Sequence, residues 1–502
     1  MQPPDDRLMR VPAPAAAGST AGPAAVHRRD LLTALSLPAA LALLPTGPAR
    51  AGGRRTRVLT PPAGVEMMPD INTAPAIDVP GFVRSVDENG ATLHVTPDGK
   101  TLVAVNSHSL FTFSLPDGLV TGHGPINVTH HNKRGVHAVL HPSGKYIAAD
   151  QGVIGNAPPR GRVMGVQYLA VVRGAALPNP GPHDTGVREI AFSPDGKLAA
   201  SASEEAIKLW DLTRRGALIA VLETPPADYR IGEATLVFSP DSKLLATRWL
   251  KGVTRLYTVA AGATAPKPKE VAQLGGTNSG RFPGGMIVFT PDSKHVVTTS
   301  PTIWSVPDGK LVKYLGTTAW SIAVSPDGKT LAADTARDGM IHLHSLPDGK
   351  PLRWLPTDEP QRELGSLTIS PDGKFLAQAG AKGQLRIWSF PDGKPLAKAT
   401  VPGMYVDSLT FTPDSKFLLA CHRTCIVCYD MTGPVPVFRT SFYTPDVSPV
   451  AEKMMIYKVR DPATKETITR TVPATAKMPA GATCTCNLVG GTRRDLELRG
   501  PF

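Results

Sequence analysis

The phrase Pro-Asp-Gly-Lys, or a close variant, returns along this chain of 502 residues, each time after a short apolar run. The instances begin at Pro97, Pro142, Pro194, Pro240, Pro291, Pro326, Pro371 and Pro413, with Pro-Ser-Gly-Lys at Pro142 and Pro-Asp-Ser-Lys at Pro240, Pro291 and Pro413. Successive starts lie 35 to 52 residues apart, the period of a repeat built from one four-stranded blade. Proline presets φ in the turn, Asp suits the next position, and Gly takes the left-handed conformation that closes a hairpin. The expected fold is therefore all-β, a single β-propeller of four-stranded antiparallel blades. Eight units imply eight blades, and seven blades with a decorated edge is the alternative, because residues 151–163 interrupt the second unit. A second Pro-Asp-Gly at Pro116, Pro307, Pro347 and Pro391 marks the turn into an outermost strand. Patterns with a period of 3.6 residues are almost absent after residue 52, which excludes a helical solenoid.

The third unit is the most complete, with Val187 to Phe192 before its turn, Leu198 to Ser203 after it, and Ile207-Lys208-Leu209-Trp210-Asp211 as a third strand. From His183 to Asp211 it resembles a WD-repeat blade: a His before the first strand, the Ser-Pro-Asp-Gly turn, Ser201 in the second strand and the closing Trp-Asp pair. That resemblance implies a buried network of His183, Ser201 and Trp210, with Glu205 where the family has a turn Asp. Trp304 and Trp388 stand near the place of Trp210 but are followed by Ser. The resemblance extends over about 350 residues, so the expected organisation is a leader (1–51), a linker (52–82), the propeller (83–439) and a tail (440–502).

The leader reads Arg28-Arg29, then an apolar stretch through Leu44, then Ala49-Arg50-Ala51. A charged region, a short apolar region and a small-x-small cleavage site are the three parts of an export signal, and the apolar part is too short to stay as a membrane span. The paired arginines resemble a bacterial twin-arginine signal, with Leu31 where Phe is usual. The expected location is thus extracytoplasmic, in the periplasm or cell envelope, for a protein with no membrane span.

The formal charge of +12 falls to +10 when residues 1–51, with five Arg and three Asp, are set aside. Lysines end the repeated turns, so charge is spread around the ring, and no basic-aromatic interleaving suggests a nucleic-acid groove. The five cysteines are Cys421, Cys425, Cys428, Cys484 and Cys486. Cys425 and Cys428 should face opposite sides of one strand and remain unpaired thiols. Cys484-Thr485-Cys486 offers two thiols for a metal or a disulfide, short of the four ligands a metal site needs. His123, His130, His131, His137 and His141 fall within nineteen residues and form the other metal candidate, although their spacing matches no template. The strand at His137 also looks like the His-bearing strand of lactonase-type propellers.

No nucleophile elbow, zinc helix, phosphate loop or calcium loop occurs, and turn geometry accounts for the repeated Asp residues. The expected function is a non-enzymatic binding scaffold, a monomer without cofactor, that presents loops to a protein or peptide partner. Residues 156–162 (Asn156, Arg162) and 263–282 (Lys267, Lys269) depart most from the repeat and are the expected partner loops. The alternatives are a lactonase-like or metal-dependent enzyme using the His123–His141 cluster, and a tail that anchors the ring or supplies a strand to close it.

Overall fold

In a computed structural model, residues 61–443 are described apart from 78–91, 106–108, 126–137, 155–162, 173–174, 179–181, 184, 225–233, 250–252, 276–285, 299–300, 336–337, 358–365, 381–382, 401–405, 407 and 423–424; residues 454–460, 467–473 and 483–484 are also described. All of these belong to the second of two units, Leu59–Phe502, whereas the leader motifs lie in the first, Met1–Val58.

Eight antiparallel sheets of four consecutive strands make an eight-bladed propeller. The third blade is Val187–Phe192, Leu198–Ser203, Ile207–Asp211 and Ala217–Glu223, so its first three strands have the expected bounds. Its second strand is buried at every residue, because a strand at mid-blade lies between neighbouring blades on both faces. Small residues there, such as Ala199, Ala200 and Ala202, let the blades approach closely. The apolar clusters accordingly join blades in pairs: Leu198, Ile207 and Leu209 of blade 3 pack on Leu236, Leu245 and Tyr257 of blade 4. The ring closes the same way, with Leu102, Phe111 and Phe113 of blade 1 against Leu419, Ile426 and Cys428 of blade 8.

Residues 151–163 do not remove a blade. They lengthen the hairpin of the second blade's second and third strands, Tyr146–Ile154 and Val163–Ala170, while its outermost strand shrinks to Pro182–His183. The last blade ends at Tyr443, four residues past the expected boundary. Among the described residues of the tail no strand closes the ring: Met454–Arg460, Thr467–Pro473 and Thr483–Cys484 pair with one another in a separate sheet.

The stretch expected as a linker is built into the rim. Glu66–Met67 adds as a parallel strand to Pro351–Pro356, the outermost strand of blade 6, and Ala76–Ile77 does the same to Pro395–Thr400 of blade 7. Between them Asp70 caps a short 3-10 turn, its side chain accepting from Asn72 N at 2.8 Å. This strap buries Met68, Ile71 and Ala74 against Leu355, Trp388 and Phe390. Ile71 is fully enclosed, a burial that stabilises by about 2 kcal/mol.

Candidate functional site

The hairpin turns gather on one face around the channel mouth, and each is locked by its own side chains. A Ser or Thr before the proline donates to the turn Asp at 2.5–2.7 Å in seven blades, from Thr96–Asp98 to Thr412–Asp414. The same carboxylate oxygen accepts the backbone N–H of the following Lys at 3.0–3.2 Å. Hydrogen bonding to the charged form holds these carboxyls below the usual range. At Asp98, Asp292 and Asp327 the hydroxyl is the largest cause. At Asp195, Asp241, Asp372 and Asp414 burial opposes the shift and the same hydrogen bonds outweigh it. Such carboxylates are spent on geometry and stay ionised, which suits a rigid display surface.

The turns are also tied to one another. Ser242, Ser293 and Ser415 occupy the left-handed glycine position with φ of 58° to 61°. Each hydroxyl accepts from a turn Asp N–H of the preceding blade, at Asp195 (3.0 Å), Asp241 (3.1 Å) and Asp372 (3.0 Å). Where glycine is kept at 196, a Cβ would meet His141 at 2.7 Å.

His141 stands in the Ser/Thr position of blade 2. Its Nδ1 lies 2.8 Å from Ser143 Oγ and its Nε2 2.9 Å from Gly196 O, while the ring stacks on Tyr146 at 4.3 Å. Both ring nitrogens are therefore engaged in a turn, which takes His141 out of any metal set. His123 lies on the outermost strand of blade 1, Val120–Pro125, and His130, His131 and His137 lie outside the described residues. Among the described residues no three His, Cys, Asp or Glu side chains converge on a metal position. The three thiols of blade 8 are buried, with Cys425 and Cys428 packed on opposite faces, and burial pushes these two up to about 12. Cys484 lies on the tail sheet, and Cys486 is outside the described residues.

At the core of blade 3, His183 Nε2 lies 2.8 Å from Ser201 Oγ, which accepts from Trp210 Nε1 at 2.7 Å. His183 Nδ1 is 2.9 Å from Ser203 Oγ and 3.2 Å from Glu205, and Lys208 reaches Glu205 at 2.8 Å. Burial, with Lys208 adding to it and Glu205 opposing, brings His183 down to about 4, so the ring is neutral. Asp211 works at the next turn: it accepts from Thr213 N at 3.0 Å and from Gly262 N of blade 4 at 2.9 Å. Trp304 and Trp388 occupy the matching register but their indole N–H groups have no acceptor, so they serve as apolar filler.

A second polar network, between blades 6 and 7, has no motif. Gln378 Nε2 donates to Asp334 at 2.7 Å, and the buried Arg386 reaches Gln378 at 3.3 Å and Gln384 at 2.5 Å. Burial raises Asp334 to about 6, against the Gln378 bond and the Arg386 charge. The available signal was a charge inside each of two apolar strands, Thr330–Thr335 and Gln384–Ser389. Along the channel, Glu189 is half-buried on an innermost strand and burial brings it up to about 8.

Of the expected partner loops, Asn156 and Arg162 lie outside the described residues. Residues 263–282 are not one loop: Lys267 is exposed in the connection between the third and outermost strands of blade 4, whereas Lys269 opens the outermost strand itself, Lys269–Leu274. The charged start of that strand, Lys269-Glu270, reads like a linker in the sequence.

Two segments match the family described as "WD domain, G-beta repeat", residues 180–211 and 356–389. They run from the outermost strand of blade 2 through Asp211 of blade 3, and from the end of blade 6 through Ser389 of blade 7. The chain is similar to a WD repeat-containing protein, SL1-17, of Schistosoma mansoni, with 29% identity over 42% of this chain and 53% of that protein. It is also similar to the Protein LST8 homolog of Drosophila melanogaster (24% identity; 48% of this chain, 77% of that protein) and to Transducin beta-like protein 3 of Bos taurus (25%; 46% and 29%). The match thus spans about half of the first of these relatives. A solved structure of a eukaryotic initiation factor aligns with a TM-score of 0.47 and 14% identity over 73% of this chain and 90% of that one, and nothing rests on it.

Proposed function

We propose that this WD-repeat β-propeller is a non-enzymatic docking ring that works outside the cytoplasmic membrane and presents its faces to a protein or peptide partner. The observation that carries the proposal is the locked turn face: seven turns hold the Asp carboxylate and the backbone N–H of the Lys after it in one repeated geometry. Fixed loops on a rigid ring lose little conformational entropy on binding, which favours recognition. The relatives that share the WD repeat support a scaffold role, with the partner left open. No helix among the described residues is long and apolar enough to cross a membrane. Export rests on Arg28-Arg29 and Ala49-Arg50-Ala51. The ring acts as a monomer and takes no nucleic acid in this proposal.

The test is fractionation followed by capture. Tagged protein should be recovered from the envelope fraction beginning near Gly52, and Arg28→Lys with Arg29→Lys should hold it in the cytoplasm. Cross-linking in that fraction should yield a stoichiometric protein partner. Recovery of the full-length chain from the cytoplasm would refute the location, and capture of no partner would refute the docking role.

A further inference from the structure

The strap shows how this rim accepts an added strand, and the adjacent blade offers the same edge uncovered. Counting outward from the channel, blade 6 pairs Ala323, Ala332, Leu343 and Arg353, and Glu66 of the strap takes the fifth place. Arg353 Nε donates to Glu66 at 3.0 Å, and Met68 N donates to Trp354 O at 2.9 Å. Blade 5 pairs Val288, Val297, Ile303 and Lys313 in the same register, and no described residue takes the fifth place. Lys313 thus stands where Arg353 does, and Tyr314 where Trp354 does. All four residues of this outermost strand, Leu311–Tyr314, are exposed, with Leu311 at 57% and Tyr314 at 49%, whereas Leu352, Arg353 and Trp354 under the strap are half-buried.

We infer that the outer edge of blade 5 is a docking site for an extended peptide strand of a partner, carrying a carboxylate followed by an unbranched aliphatic residue, as Glu66-Met67 does. An open edge offers backbone N–H and C=O groups that any strand can use. Selectivity comes from Lys313, whose ammonium faces the incoming carboxylate, and from Leu311, Val312 and Tyr314, which gain burial under the peptide. The strand runs parallel to 311–314, as the strap does on blade 6.

The inference deepens the docking-ring proposal and rests on it. Its test is fluorescence anisotropy of a labelled peptide with the sequence of residues 64–74, titrated with the mature protein. Binding should be one to one, Lys313→Glu should weaken it about fivefold, the effect of reversing one rim charge, and a peptide with Lys in place of its Glu should recover that loss. Three results would overturn the site: no binding at millimolar protein, binding insensitive to Lys313→Glu but lost in Arg353→Glu, which would mean exchange with the strap, or self-association abolished by Lys313→Glu, which would make a second copy the occupant. An unchanged melting temperature checks that each variant folds. Envelope partner capture by the Lys313→Glu protein separates the two proposals: capture retained with peptide binding lost shows a partner that uses another face, whereas failure of capture by the native protein sinks the docking role itself.

Discussion

Replacing Ser201 by Ala removes one hydroxyl from the centre of blade 3 and leaves two buried groups without partners. Ser201 is fully buried, accepts from Trp210 Nε1 at 2.7 Å and meets His183 Nε2 at 2.8 Å. A buried polar group stripped of its partner costs about 1–3 kcal/mol, so the two together give about 2–6 kcal/mol. The lower part of that range applies, because Trp304 and Trp388 already keep unpaired indole N–H groups in blades 5 and 7. His183 also retains Ser203 and Glu205 on its other nitrogen. The expected loss is about 2–3 kcal/mol, read by urea unfolding at neutral pH with an unchanged slope. Ser201→Thr, which keeps the hydroxyl, should lose less. A double-mutant cycle with Trp210→Phe should show coupling of about 1 kcal/mol, as expected of side chains in contact. Additivity within about 0.3 kcal/mol would mean that the hydroxyl and the indole do not share a bond and would refute the network.

Ile71→Ala should cost about 2–4 kcal/mol and expose the strap to limited proteolysis near residue 70, since the side chain is fully enclosed between blades 6 and 7; a protease-resistant variant would mean that the strap is held by its strand pairing alone. His422 is buried and burial brings it down to about 4 from 6.5. Its folded value lies below its unfolded one, so it contributes stability that is present above about pH 6.5 and lost as pH falls toward 4. His422→Leu should flatten unfolding free energy across that window, and an unchanged pH slope would count against a buried neutral ring. The thiols of Cys421, Cys425 and Cys428 should resist alkylation in the native protein and react on unfolding, as mass spectrometry of carbamidomethylated protein would show; prompt native labelling would contradict their burial.

Much of the ring was legible in the chain because its information is local. A Ser-Pro-Asp-Gly turn sets its own φ angles and hydrogen bonds, so eight turns between apolar runs specify eight hairpins before any blade touches another. The His183–Ser201–Trp210 assembly was readable only because residues 183–211 resemble a WD-repeat blade, in which that network is implied. Cys425 and Cys428 followed from strand alternation alone.

Tertiary structure decided what depends on contacts between distant segments. That 61–77 is a strap could not be read from its composition, because Glu66–Met67 and Ala76–Ile77 are too short to signal strands and become strands only on edges some 300 residues away. The Asp334–Gln378–Arg386 network needs blades 6 and 7 side by side before a charge in each apolar strand makes sense. His141 looked like a ligand beside its histidine neighbours, and the fold instead placed Gly196 O against it from the next blade. Likewise the tail was expected to anchor the ring or to supply a strand to close it, and the choice of partner for its described strands, their own sheet rather than a blade, fell to the tertiary structure. Periodic turns encode the blades because each is a short-range object, whereas the rim, the interblade networks and the open edge at Lys313 exist only once the ring has closed.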